Sequence, residues 1–150
     1  MTDAPDTPAE LRARALRLLA RREHSRQELA RKLSARAETP QALEFLLSDL
    51  EKRKQLSDER FASERARVLS RKYGAARIRQ DLKAKGVPEE LASRFSSSSD
   101  ELQKAKAILE RKYRLPATTR EEKAKRMRFL QSRGFSSDVI FSLLSARSTD

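Results

Sequence analysis

The chain contains no cysteine and no tryptophan. Without thiols there is no disulfide framework, no cysteine-bound metal and no cysteine nucleophile. Glycine occurs three times and proline five times, too few for an all-β design rich in tight turns. The single histidine, His24, sits beside Ser25 in an expected turn and reads as an exposed loop residue. No apolar run approaches the roughly 18 residues a spanning helix needs. The opening "MTDAPDTPAE" is acidic and proline-containing, the opposite of a secretory signal. These absences predict a soluble, cytoplasmic protein. There is also no glycine-rich phosphate loop, so no catalytic residue, metal site or cofactor is expected.

What is present is charge. The 150 residues carry 34 Lys and Arg against 22 Asp and Glu, a net charge of +12. So large an excess costs self-repulsion and favours a polyanionic partner, nucleic acid first and an acidic protein surface second. The alternative is a solvated basic surface with no partner.

The apolar spacing is helical almost throughout. Leu43, Leu46, Leu47 and Leu50 form one stripe; Ala62, Ala66, Leu69 and Tyr73 form another; Leu102, Ala105, Leu109 and Tyr113 form a third. Phe61, Phe129 and Tyr73 fall on such stripes and read as core anchors. Thr7-Pro8 and Thr39-Pro40 place a capping hydroxyl before a proline at the first helical position. Ser25 to Glu28 and Thr119 to Glu122 read as capping boxes. Gly74, Gly86 and Gly134 follow basic helix ends, where a left-handed glycine can close the helix. The pairs Asp58-Glu59 and Glu89-Glu90 open helices, where they favour the dipole. Nine helices are predicted, at about 8–22, 25–36, 40–54, 58–73, 75–85, 88–96, 100–113, 119–133 and 137–146. "SSSSD" at 96–100 and "RLPATT" at 114–119 read as linkers.

The helices fall into three triplets. "DLKAKGVPEEL" at 81–91 and "FLQSRGFSSDVI" at 129–140 repeat one joint. Leu33, Leu82 and Leu130 hold matching places, 49 and then 48 residues apart. "VLSRKY" at 68–73 echoes "ILERKY" at 108–113. In the first copy Ala37 replaces the glycine and a residue is added. A period near fifty points to a tandem array. The expected fold is all-α: three tandem three-helix, helix-turn-helix-like repeats in an elongated, curved array. The expected divisions are 1–56 (with a short flexible N-terminus), 57–98 and 99–150.

Charge follows the repeat. The second helix of each triplet is basic: Arg26, Arg31, Lys32 and Arg36; then Arg77, Arg79, Lys83 and Lys85; then a last set including Lys125, Arg128 and Arg133. The third helices carry acids such as Glu44, Asp49, Glu51, Glu89 and Asp138. In a three-helix DNA reader the last helix usually enters the major groove. Acids there would face phosphates, which argues against sequence-specific reading. Glu28 with Lys32, Glu121 with Lys125, and Glu122 with Arg126 stand at i, i+4, each pair worth a few tenths of a kcal/mol. They absorb only part of the excess. The candidate contact residues are therefore Arg22, Arg26, Lys32, Lys72, Arg77, Arg79, Lys83, Lys85, Lys125, Arg128 and Arg133.

Three motifs in order resemble the RecX family, regulators of the RecA recombinase. They are "ALRLLARREHSRQEL", then "LSDERFASERARVLSRKYGAARIRQDLKAKGV", then "FLQSRGFSSDVIFSLL". The resemblance spans about residues 11 to 145. It implies a curved array of three-helix repeats without catalysis. It implies binding to RecA and to the RecA–DNA filament, within its groove. Inhibition of filament extension, ATP hydrolysis, strand exchange and co-protease activity would follow, in DNA repair, recombination and SOS regulation. It also implies weaker direct binding to single- or double-stranded DNA by a monomer.

Overall fold

The computed structural model describes residues 4–97 and 99–146. Ser98, within the expected serine linker, and residues 1–3 and 147–150 lie outside that range. The described residues form nine α-helices and no strand. They are α1 (Pro8–Arg21), α2 (Arg26–Leu33), α3 (Pro40–Lys52), α4 (Asp58–Leu69), α5 (Ala75–Ala84), α6 (Glu89–Ser96), α7 (Glu101–Lys112), α8 (Arg120–Ser132) and α9 (Ser137–Ala146).

Most start signals operate as read. The hydroxyls of Thr7, Ser25, Thr39, Ser57 and Thr119 each accept a backbone N–H from the first helical turn. Only Thr7 completes a capping box, with Glu10 returning the bond. At Ser25 the return is lost because Arg22 engages both oxygens of Glu28. Glu122 instead accepts the N–H of Thr118. Gly86 and Gly134 close α5 and α8 at φ of 89° and 90°. Gly74 does not behave this way: it is the N-cap of α5, with φ of −84°.

Each triplet has its own core. Leu11, Leu29, Leu33, Leu47 and Leu50 centre the first. Phe61, Ile78, Leu82 and Val87 centre the second, and Leu109, Leu130, Phe135 and Ile140 the third. Leu33, Leu82 and Leu130 are each fully buried, so the repeat spacing marks one core position used three times. Burying one leucine contributes about 1.5–3 kcal/mol. Leu102 leaves its expected stripe and is exposed, while Ile108 takes the buried place.

The triplets meet through their second helices. The Ser25 hydroxyl at the start of α2 donates to the Lys85 carbonyl at the end of α5, at 2.5 Å. One triplet on, the Gly74 N–H at the start of α5 donates to the Arg133 carbonyl at the end of α8, at 2.7 Å. Both joints bring a negative helix end to a positive one, which is favourable. A carboxylate completes each joint: Asp58 accepts the Arg26 N–H at 2.8 Å, and Glu101 accepts the Ala75 N–H at 2.7 Å. Asp58 therefore does more than favour its own helix dipole.

The joints explain the glycines. A Cβ at Gly86 would lie 2.4 Å from the Gln27 Cβ. One at Gly134 would lie 2.4 Å from the Arg77 Cβ, and one at Gly74 would lie 2.6 Å from the Gly134 oxygen. In the first triplet the equivalent Arg36 carbonyl accepts the N–H of Asp6 at 2.7 Å. Ala37, unlike Gly86 and Gly134, does not take a positive φ, so a Cβ is tolerated there. Asp6 is buried, and its carboxylate accepts from Arg14 and Arg36 at 2.8 and 2.9 Å. Those hydrogen bonds bring its pKa down to about 2. The segment expected to be flexible is anchored from Asp6 onward.

Candidate functional site

A basic side chain can hold an outside anion only if its own fold leaves the charge uncancelled. Several candidates fail that condition. Arg22 forms a bidentate pair with Glu28. Arg26 reaches Glu44 and Glu51 on α3. Arg79 and Lys83 both clamp Glu89 at the start of α6, and the two hydrogen bonds hold the Glu89 pKa down at about 2. The acidic third helices thus spend much of their charge on the basic second helices. The expected i, i+4 pair of Glu28 with Lys32 is displaced by Arg22. Arg126 likewise leaves Glu122: it is buried, donates to the Leu115 carbonyl at 2.7 Å and lies over the Tyr113 ring.

Lys32 meets His24, and this overturns the exposed-loop reading of the histidine. His24 is 1% exposed, with Nδ1 3.1 Å from the Arg22 carbonyl and Nε2 2.9 Å from the Lys32 ammonium. An ammonium only donates, so Nε2 must accept and Nδ1 must carry the proton. Burial, together with the neighbouring Arg22 and Lys32 charges, lowers the His24 pKa against the pull of the carbonyl bond. The cue was legible: His24 aligns with Tyr73 when Ser25 is aligned with Gly74, and Tyr73 falls on an apolar stripe.

Lys72, Arg77, Lys85, Lys125, Arg128 and Arg133 take part in none of these ion pairs. Lys125 and Arg128 are exposed on α8. Arg77 lies over the Tyr73 ring and donates to the Ser132 carbonyl across the second joint. Arg133 lies over both Tyr73 and Phe129 and donates to the Lys72 carbonyl at 3.3 Å. The structure therefore gathers Lys72, Arg77 and Arg133 at the second joint. Lys85 stays at the first joint. Tyr73 and Phe129 pack against their cores as expected, and each also presents a ring face to these cations.

Three stretches match family descriptions in chain order: residues 12–46 match the RecX first three-helix domain, 57–94 the second and 99–144 the third. The chain belongs to the RecX family. Among its curated relatives is the "Regulatory protein RecX" of Leptothrix cholodnii, 42% identical over 139 residues, spanning 89% of this chain and 87% of the relative. The protein of the same name from Ralstonia nicotianae is 40% identical, spanning 91% and 87%. A crystal structure of RecX from Lactobacillus salivarius shares the fold, with a TM-score of 0.82 at 18% identity over 95% of this chain and 97% of that one. The RecX name carries a regulatory role. No helix among the described residues is long and apolar enough to cross a membrane.

Proposed function

We propose that this protein binds RecA and the RecA–DNA filament and restrains recombinase, ATPase and co-protease activity, by binding rather than catalysis. The reading rests on membership of a regulatory family. The observation that supports its mode is the row of second helices, joined end to end with cations held by carbonyls and ring faces beside the second joint. Such a row can follow a filament carrying phosphate and protein surface together, in DNA repair and the SOS response. Units dividing near residues 56 and 98, acting as a cytoplasmic monomer, complete the proposal. Bare DNA is the weaker partner.

The test is a titration into RecA on single-stranded DNA, with ATP hydrolysis followed. The expected result is progressive inhibition at sub-stoichiometric to stoichiometric protein. Unchanged hydrolysis at excess protein sinks the reading. Tight, strongly salt-dependent binding to bare nucleic acid with no preference for the filament would leave a general nucleic-acid binder.

A further inference from the structure

The two joints each open a cleft, and the clefts are equivalent. Ser25 and Gly74 cap α2 and α5; Ser57 and Asp100 cap the following helices α4 and α7. Aligned on these caps, Glu23 corresponds to Lys72, Glu28 to Arg77, Glu64 to Ala107 and Val68 to Arg111. Arg22 corresponds to Arg71 and Lys85 to Arg133.

The first cleft, of about 440 Å³, sets Arg22, Arg65 and Lys85 against Glu23, Glu28 and Glu64. The second, of about 600 Å³, is lined by Arg71, Lys72, Arg111, Lys112 and Arg133, with no carboxylate among the described residues. The two acidic positions of the first cleft that face its second-helix start have become basic. Nothing in the fold requires this, since the first cleft supports the same joint with balanced charge.

Three of the cations are held in place by groups that carry no charge. Arg111 donates to the Arg71 carbonyl at 2.5 Å and Arg133 to the Lys72 carbonyl. Lys112 stands 5.1 Å above the centre of the Phe129 ring, and Arg133 lies over the other ring faces named above. Carbonyls and ring faces orient a cation while leaving its full charge for another anion. Five like charges around one space repel each other until a polyanion enters.

We infer that the cleft between the second and third triplets is a binding site for the phosphodiester backbone of a single-stranded nucleic acid, taking at least two consecutive phosphates. The inference deepens the proposed function by naming what the second joint contacts. Arg71, Arg111 and Lys112 join the candidates that the second-helix pattern had picked out.

The test exchanges the clefts. Lys72→Glu with Arg111→Val gives the second cleft two residues of the first. Binding of a fluorescein-labelled oligothymidylate to the full chain, without RecA, is followed by anisotropy across a salt series. Affinity should fall about tenfold or more, and the slope of log K against log salt should shrink by about 1.4, at roughly 0.7 for each of two single-strand phosphates. The control, Lys52→Glu with Arg17→Val, makes the same change in net charge on exposed helical residues away from the cleft and should retain most of the affinity. Thermal melts confirm that both variants fold. Equal losses in the two variants, or no loss in the cleft variant, overturn the inference. A competition arm with tripolyphosphate separates the sources: displacement of the strand at equal phosphate concentration would assign the cleft to free polyphosphate and reject the strand. RecA inhibition by the same variant is measured separately, so a failed cleft and a failed regulatory reading give different results.

Discussion

The two joints share a plan and differ in what their side chains are for. At the first, Arg22 pairs with Glu28, and Arg60 of α4 pairs with Glu23 across the boundary at 2.9 Å. At the second, Arg111 and Arg133 end on carbonyl oxygens. The shared backbone contacts hold both joints. Ion pairs at the first are therefore added locking, and cations at the second are available for an outside partner. A repeat protein can vary charge in this way because each joint depends on the same carbonyl, helix start and opening carboxylate.

The largest effect should come from the triplet that bears both joints. Leu82→Ala should cost about 2–5 kcal/mol, since the side chain is fully buried, and should loosen both clefts together. A chemical denaturation curve checks it; a loss under about 1 kcal/mol would mean that the middle core repacks around the gap.

Next come the joint glycines. Gly86→Ala and Gly134→Ala each put a side chain in a left-handed conformation, at about 1–2 kcal/mol. Gly134→Ala should be the worse, because its Cβ also falls 2.6 Å from the Arg77 backbone nitrogen, whereas the three atoms nearest a Cβ at Gly86 all belong to the side chain of Gln27. Paired thermal melts rank them, and the reverse order would show that the second joint yields more easily than the first.

Binding should discriminate between spent and available cations. Arg79→Gln with Lys83→Gln removes two charges that Glu89 already engages. Oligonucleotide affinity should change less than about threefold, against about tenfold for the cleft exchange. Equal losses would erase the distinction between the two sets.

The smallest effect is a pH dependence confined to the first joint. The His24 pKa is lowered in the fold, so the unfolded chain binds more protons between the folded value and the usual 6.5 or so. This contribution to stability is complete above about 6.5 and is lost as pH falls toward the folded value. His24→Gln should flatten stability across that window while leaving the second joint unchanged. Melts between pH 7 and 5 read it, and an unaltered pH slope in the variant would locate the dependence elsewhere.

Much of this architecture was legible beforehand. The leucine period placed one core position three times, and threonine or serine before proline or glutamate placed helix starts. Helix ends were read too long: α2 stops at Leu33 and α4 at Leu69, because the Arg36 carbonyl turns to the Asp6 N–H and the Gly74 N–H to the Arg133 carbonyl. The roles of Asp58 and Glu101 were also missed, since a carboxylate at a helix start looks the same whether it favours its own dipole or caps a neighbour. Aligning the repeat residue by residue would have exposed the exchange of Glu23 for Lys72.

By itself the sequence determined the helices, their caps and the threefold repeat, because these depend on contacts a few residues apart and on the conformational freedom of glycine. Which charges remain available was decided only by the tertiary structure. Arg26 finds Glu51, Arg60 finds Glu23 and Arg94 finds Glu59 across 25 to 37 residues of chain. Coulomb attraction acts through space, so the folded positions, and not the order of residues, separate a neutralised arginine from one still able to hold a phosphate.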